Sequence, residues 1–279
     1  MAIVNAGYMG YAHVGNAKVR CTDFNVKLTQ NVLFYDHTIG LRDSIPQTIL
    51  GSKGDGGEWN EQKIFYRPGT KIVEGSISFP FANAAFFKEA YTGDNFDLDL
   101  YYSCYTGKTF TDCKVNSYSL TATAGEGGSV SITVMGVNVK DLGAPDIYSD
   151  PEKIISWDEI KIVGAGVTEG IVAFDFTVNN NCIPIYTAGA NVGTGADSAL
   201  LVKEIRVGMQ EVNGSVSFYN DLGPEDEFVE DTEPRDITIH AGTFAARLKV
   251  LYQYPERAGS VSPYIRTIPF VGVGHAVQS

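Results

Sequence analysis

Residues 67–79 read RPGTKIVEGSISF, and residues 206–218 read RVGMQEVNGSVSF. Seven of these 13 positions are identical: Arg67/Arg206, Gly69/Gly208, Val73/Val212, Gly75/Gly214, Ser76/Ser215, Ser78/Ser217 and Phe79/Phe218. Ile77/Val216 adds a conservative match. With residue frequencies near ~5–10%, about one identity arises by chance. The chain therefore reads as carrying an internal repeat, and a repeat decides how many units must fold. Ile77 and Phe79 alternate with Ser76 and Ser78, and Val216 and Phe218 repeat the alternation. Period two is the mark of a half-buried strand.

A weaker echo lies upstream of each copy. Asp23-Phe-Asn-Val-Lys-Leu-Thr-Gln-Asn pairs with Asp175-Phe-Thr-Val-Asn-Asn-Asn at an offset of 175 − 23 = 152, against 206 − 67 = 139 for the main motif. The difference assigns copy one a longer connection, over residues 37–62, where Gly51-Ser-Lys-Gly-Asp-Gly-Gly has loop composition. Gly189-Ala-Asn-Val-Gly-Thr-Gly-Ala-Asp is the matching loop of copy two. A turn-rich stretch from Gly143 to Pro151 sets the boundary. Copy one is residues 1–145 and copy two residues 146–279.

Further strands are expected at Phe96–Tyr102, Ser129–Val139, Asp236–His240 and Phe244–Tyr254. Pro68-Gly69 suits a type II turn. A single segment invites a helix, near residues 82–92, after Pro80 and before Gly93. The fold class expected is mainly β: two tandem sandwich or barrel domains, each with at most one short flanking helix.

The 279 residues are 44% hydrophobic and 19% charged, a composition for packed cores. Lys plus Arg is 21 against 33 Asp plus Glu, a net charge of −12, which excludes a basic clamp on nucleic acid. No stretch approaches the ~20 apolar residues of a membrane-spanning helix. The N-terminus lacks the basic and apolar regions of a signal peptide, so the chain reads as soluble and unexported. Four cysteines are too few for a disulfide scaffold. The cysteines read as free buried thiols on the compartment argument, with Cys104 and Cys113, which flank a turn that can bring them together, as the alternative pair.

Little catalytic chemistry is legible. His13, His37, His240 and His275 stand at no ligand spacing, so zinc sites and His-based triads find no support. Gly107-Lys-Thr lacks the first glycine of a phosphate loop and reads as a hairpin turn. Gly164-Ala-Gly-Val-Thr-Glu-Gly fails as a dinucleotide fingerprint. No cofactor is implied. Glu225, Asp226 and Glu227 open a run of six acids ending at Glu233, read either as a solvated loop or as an acidic face. Asp97 and Asp99 point from one face of a strand, either plain solvent-exposed sheet or the wall of an acidic channel.

The FTVNNN-type strand, the Gly-Ser-[Ile/Val]-Ser-Phe strand and the short helix of copy one together resemble the major tail tube proteins of tailed bacteriophages. The resemblance implies small β-sandwich domains, six of which close a ring around a continuous inner barrel. Rings stack into the tube through which DNA leaves the capsid. It implies a structural virion protein, not an enzyme, assembled in the host bacterial cytoplasm into the phage tail. Partners would be the chain itself, other tail proteins (terminator, baseplate or tape measure) and DNA passing without specific binding, with no membrane. With two units per chain, a trimer with pseudo-sixfold symmetry is favoured over a hexamer. Gly51, Lys53, Asp55 and Trp59 are then inter-ring loop candidates. Asp97, Asp99, Glu225, Asp226 and Glu227 are lumen-facing candidates, repelling DNA phosphate. Arg67, Gly69, Gly75, Ser76 and Phe79 with Arg206, Gly208, Gly214, Ser215 and Phe218 are the structural motif residues. Two rival readings stand beside this one: a two-domain spike or adhesin binding module, and a carbohydrate-active β-sandwich enzyme with a carboxylate pair.

Overall fold

The computed structural model describes residues 10–15, 17–34, 66–82, 90, 92–101, 106–142, 154–164, 170–186, 202–219, 233–242, 244–253 and 265–278. Alternating burial organises them into strands. The first half holds β1 (Tyr11–Val14), β2 (Ala17–Arg20), β3 (Asp23–Phe34), β4 (Tyr66–Pro80), β5 (Phe96–Tyr101), β6 (Gly107–Thr123), β7 (Ser129–Gly136) and β8 (Asn138–Leu142). The second holds β9 (Ile160–Val163), β10 (Ile171–Asn179), β11 (Ile183–Ile185), β12 (Glu204–Arg206), β13 (Glu211–Tyr219), β14 (Arg235–Ala241), β15 (Phe244–Tyr252) and β16 (Ile265–Gln278). The protein is mainly β.

Fourteen strands form one antiparallel sheet, and β11 and β12 form a separate two-stranded ribbon. The trunk runs β3-β4-β7-β6-β10-β13-β16-β15-β14-β9. The branch β2-β1-β5 joins the N-terminal part of β6, whose opposite edge carries β8. The order β3-β4-β7-β6 thus recurs as β10-β13-β16-β15, and the seam between the two runs is β6 against β10.

On β10, Phe174, Phe176 and Val178 are buried while their neighbours are half-buried, the alternation of a strand with one face in the core. Both halves feed one apolar cluster, in which Val26, Ile77, Leu98 and Tyr118 of the first meet Phe176, Ile239 and Leu248 of the second. Phe79, Phe81, Phe110 and Phe244 are almost completely buried, each contributing about 1.5–3 kcal/mol of apolar burial.

Strand β6 serves both trunk and branch because it is bent twice. Asp112 has φ 52, and the β6–β7 register shifts between Val115 and Ser117. Each extra residue re-aims the strand while keeping its apolar side chains inward.

Several local expectations change. Pro68-Gly69 makes no turn: β4 runs through it, and Pro68 faces Val32 where the β3–β4 register shifts after Gln30. A bulge tolerates a residue that cannot donate to the ladder. Gly107-Lys-Thr likewise opens β6 instead of turning, with Gly107 opposite Tyr101. The strand expected over Ser129–Val139 is broken at Val137, which separates β7 from β8. Ala90 and Thr92 are helical, while most of the helix expected near 82–92 lies outside the described residues, as does the boundary stretch 143–151.

Candidate assembly interface

The repeated motif is built for close strand approach. A Cβ on Gly75 would strike the backbone of Asn25 and Val26, and one on Gly214 would strike the Asp175 carbonyl and the Phe270 ring. Ser76 and Ser215 follow on the opposite face, while Phe79 and Phe218 fill the core. A second glycine pair faces the repeated valines: Gly136 lies opposite Val73, and Gly272 opposite Val212. Gly208 fits against Asn181, and its N–H donates to the Asn180 carbonyl at 2.9 Å. Arg206 pairs with Glu204 at the end of β12. Arg67 and Gly69 lie within β4.

Ladder partners align β10 with β3 through the two motif strands. Asp23 lies opposite Ser78, and Ala173 opposite Ser217. Strand β10 therefore matches β3 at 173 − 23 = 150, two residues from the offset read in the sequence. Side-chain contacts agree. Asn31 Nδ2 donates to Thr70 Oγ1 at 3.4 Å, and Asn181 Nδ2 donates to the Met209 carbonyl at 2.8 Å, each pair related by 150 and 139. A two-residue slip preserves the buried face, which is why it is invisible in the alternation.

The outward face of the trunk carries hydroxyls in rows. One row runs Asp23, Ser78, Ser131, Ser119, Thr177 and Asn213. The next runs Asn25, Ser76, Thr133, Ser117, Asn179 and Glu211. Neighbours bond across strands: Ser78 Oγ to Ser131 Oγ at 3.3 Å, Ser117 Oγ with Thr133 Oγ1 at 2.7 Å, and Ser217 Oγ with Thr267 Oγ1 at 2.8 Å. Ser215 donates to the Asp175 carboxylate. Alternating serines are present in the sequence, but their alignment into rows requires the register.

The seam itself is a polar lock. Seven residues of β10 oppose β6, from Ala173 opposite Thr123 to Asn179 opposite Ser117. The ladder continues as the Asn180 N–H donates to the Asn116 carbonyl at 2.7 Å. Asn180 is fully buried. Its Nδ2 donates to the carbonyls of Ala90 at 2.9 Å and Val115 at 2.8 Å, and its Oδ1 accepts from Gln210 Nε2 at 2.8 Å. Asn116 Oδ1 accepts the Cys182 N–H at 2.9 Å. Beyond it, the β11–β12 ribbon packs Cys182, Val202 and Ile205 onto Ile72, Met135 and Val137 of the first half. Sequence reading missed Asn180. It stands inside the FTVNNN stretch, but nothing local distinguishes it from Asn179 and Asn181.

Of the acidic candidates, Asp97 and Asp99 lie among the described residues. Asp97 and Asp99 share a face of β5 as expected. There Asp97 Oδ1 accepts the Asp112 N–H at 3.2 Å, and Asp99 Oδ1 accepts Thr109 Oγ1 at 2.6 Å, with His13 Nδ1 4.0 Å from Asp99 Oδ2. Glu225, Asp226 and Glu227 lie outside the described residues, as do Gly51, Lys53, Asp55, Trp59 and Cys104. Cys21, Cys113 and Cys182 are free and buried. Burial, aided by Asp23, pushes the Cys21 thiol up to about 12, and burial also raises Cys113 and Cys182. Among the described residues, no cluster of His, Cys, Asp and Glu could hold a metal ion, and no helix is long and apolar enough to cross a membrane.

A family model described as phage tail tube protein matches residues 66–247. The match begins at the first residue of β4, crosses the β6–β10 seam and ends inside β15. No curated protein matches the chain. The matched segment, 182 of the 279 residues (247 − 66 + 1 = 182), carries the repeated motif and the polar lock, and the chain belongs to the phage tail tube protein family, a family of structural virion components.

Proposed function

We propose that the chain is a tail tube subunit made of two copies of one unit, and that three chains close a ring of six units. The observation that carries this reading is the β6–β10 seam. The last strand of the order β3-β4-β7-β6 pairs with the first strand of its recurrence, while β3 pairs with β4 alone among the described residues. A sheet that joins head to tail within one chain can join the same way between chains. Closure into a ring removes the exposed edges that would otherwise aggregate.

Stacked rings then make the conduit for DNA, with the hydroxyl rows facing the lumen. From β3 to β13 this face carries Asp23, Glu74, Asp175 and Glu211 against Lys27 and Lys114, and Lys114 is turned back to the Gly93 carbonyl. Hydroxyls already bonded to one another, with acids in excess, give phosphate few attractive contacts and some repulsion. The other tail proteins would cap the two ends of the stack.

Electron microscopy of the purified protein tests the reading. Uniform hollow tubes are the expected result. A protein that stays monomeric at every concentration would refute it.

A further inference from the structure

The lock at Asn180 has a counterpart in two places: on β3, at one end of the trunk, and at the C-terminal end of β15. By the ladder equivalences, Gln30 stands where Asn180 stands (180 − 150 = 30). Matching β7 to β16 through Gly136 and Gly272, and β6 to β15 through their partners on those strands, sets Tyr252 at the place of Val115, and Gln253 then follows Tyr252 in the chain as Asn116 follows Val115. The edge of β15 is arranged like that of β6. Pairing with β5 begins with Phe96 opposite Cys113, and pairing with β14 begins with Arg235 opposite Val250, the matching position. On β6, β10 takes over the same edge three residues on from Val115's neighbour Lys114, at Ser117.

Burial differs between the two sets in one consistent direction. Asn180 is fully buried, whereas Gln30 is exposed; Asn116 is half-buried, whereas Gln253 is exposed. Ile72 and Val137 lie under the β11–β12 ribbon, whereas their equivalents are Glu211, exposed, and Val273, 51% exposed. Met135 corresponds to Val271. The second half thus presents an apolar edge and an amide where the first half has them covered by its successor.

We propose that this joint is repeated between chains: Gln30 of one chain seats against Tyr252 and Gln253 of the next, and the incoming copy of the chain covers Val271 and Val273. The side chain of Gln30 donates to the Tyr252 carbonyl as Asn180 donates to Val115. The Gln253 side-chain oxygen accepts the Val32 N–H as Asn116 accepts that of Cys182. This joint rests on the ring reading and gives it residues.

Asn180 and Asn116 are directly opposed in the seam (180 + 116 = 296, as for 173 + 123). Opposed antiparallel residues have Cα atoms about 4.5–5.5 Å apart, within disulfide range. The test is therefore the double variant Gln30→Cys with Gln253→Cys, assembled, oxidised and run on a non-reducing gel. Covalent multimers that neither single variant gives are expected. Tubes visible by microscopy whose chains stay unlinked would overturn the joint and leave the tube reading standing. Wild-type protein that never leaves the monomer would overturn both. As a second measurement, Val273→Glu should abolish tubes while leaving the circular dichroism and melting temperature of the isolated chain unchanged, since Val273 is exposed there. Tubes formed as readily as by wild type would overturn the covered face.

Discussion

Replacing Asn180 by alanine tests the lock from inside a single chain. The substitution removes two donated hydrogen bonds and one accepted bond, all between 2.8 and 2.9 Å. It leaves the Ala90 and Val115 carbonyls and the Gln210 amide to find other partners in a site where Asn180 itself has no exposure. At about 1–1.5 kcal/mol for each bond, the loss sums to about 3–5 kcal/mol, a large part of the roughly 5–15 kcal/mol that holds a protein folded. Guanidinium unfolding of the unassembled chain should show a lower midpoint at unchanged slope. Asn180→Asp should cost more at neutral pH, because a carboxylate then faces two carbonyls. It should recover as pH falls, because protonation restores one donor. Gln30→Ala should stay within about 0.5 kcal/mol of wild type in the same assay, since an exposed amide loses little. A cost below about 1 kcal/mol for Asn180→Ala, or equal costs at the two positions, would refute the assignment of the lock.

Gly214→Ala should destabilise by about 2–3 kcal/mol, because its Cβ would press on the Asp175 carbonyl and stand 2.5 Å from Phe270 Cζ. Gly274→Ala, with Lys249 Cβ at 3.8 Å, should be close to neutral, and thermal melts of the two variants compare them directly. Cys21 and Cys113 should resist alkylation at pH 8 in the folded chain and react on unfolding, read by mass mapping. Because burial raises the Cys21 thiol from 9.0 to about 12, the folded state favours the neutral thiol. That stabilisation is complete below pH 9 and is lost as pH rises through 12, so alkaline titration of the melting temperature should fall more steeply for wild type than for Cys21→Ala.

The fold class was legible because period-two alternation is a local property. Phe24, Val26 and Leu28, like Ile77 and Phe79, declare their faces without reference to any distant residue. The motif glycines were legible as identities, and their reason is the backbone packed against Gly75 and Gly214. Pro68-Gly69 misled because the same dipeptide suits a turn or a bulge, and the choice depends on β3 lying alongside. The acids Asp97 and Asp99 were placed on one face as expected. Their partners, the Asp112 N–H and Thr109, come from β6 and its bulge, which no spacing announces.

By itself the sequence determined that the chain is built of strands, that a strand motif occurs twice, and which side chains of each strand face the core. Tertiary structure alone decided the register between strands, the seam of β6 with β10, and the burial of Asn180 among three adjacent polar groups. The physical reason is the period itself. A slip of two residues leaves every side chain on its own face, so alternation cannot distinguish an offset of 152 from one of 150. Bulges, glycine contacts and a buried amide that must find its partners make that choice, and they act only once distant strands have met.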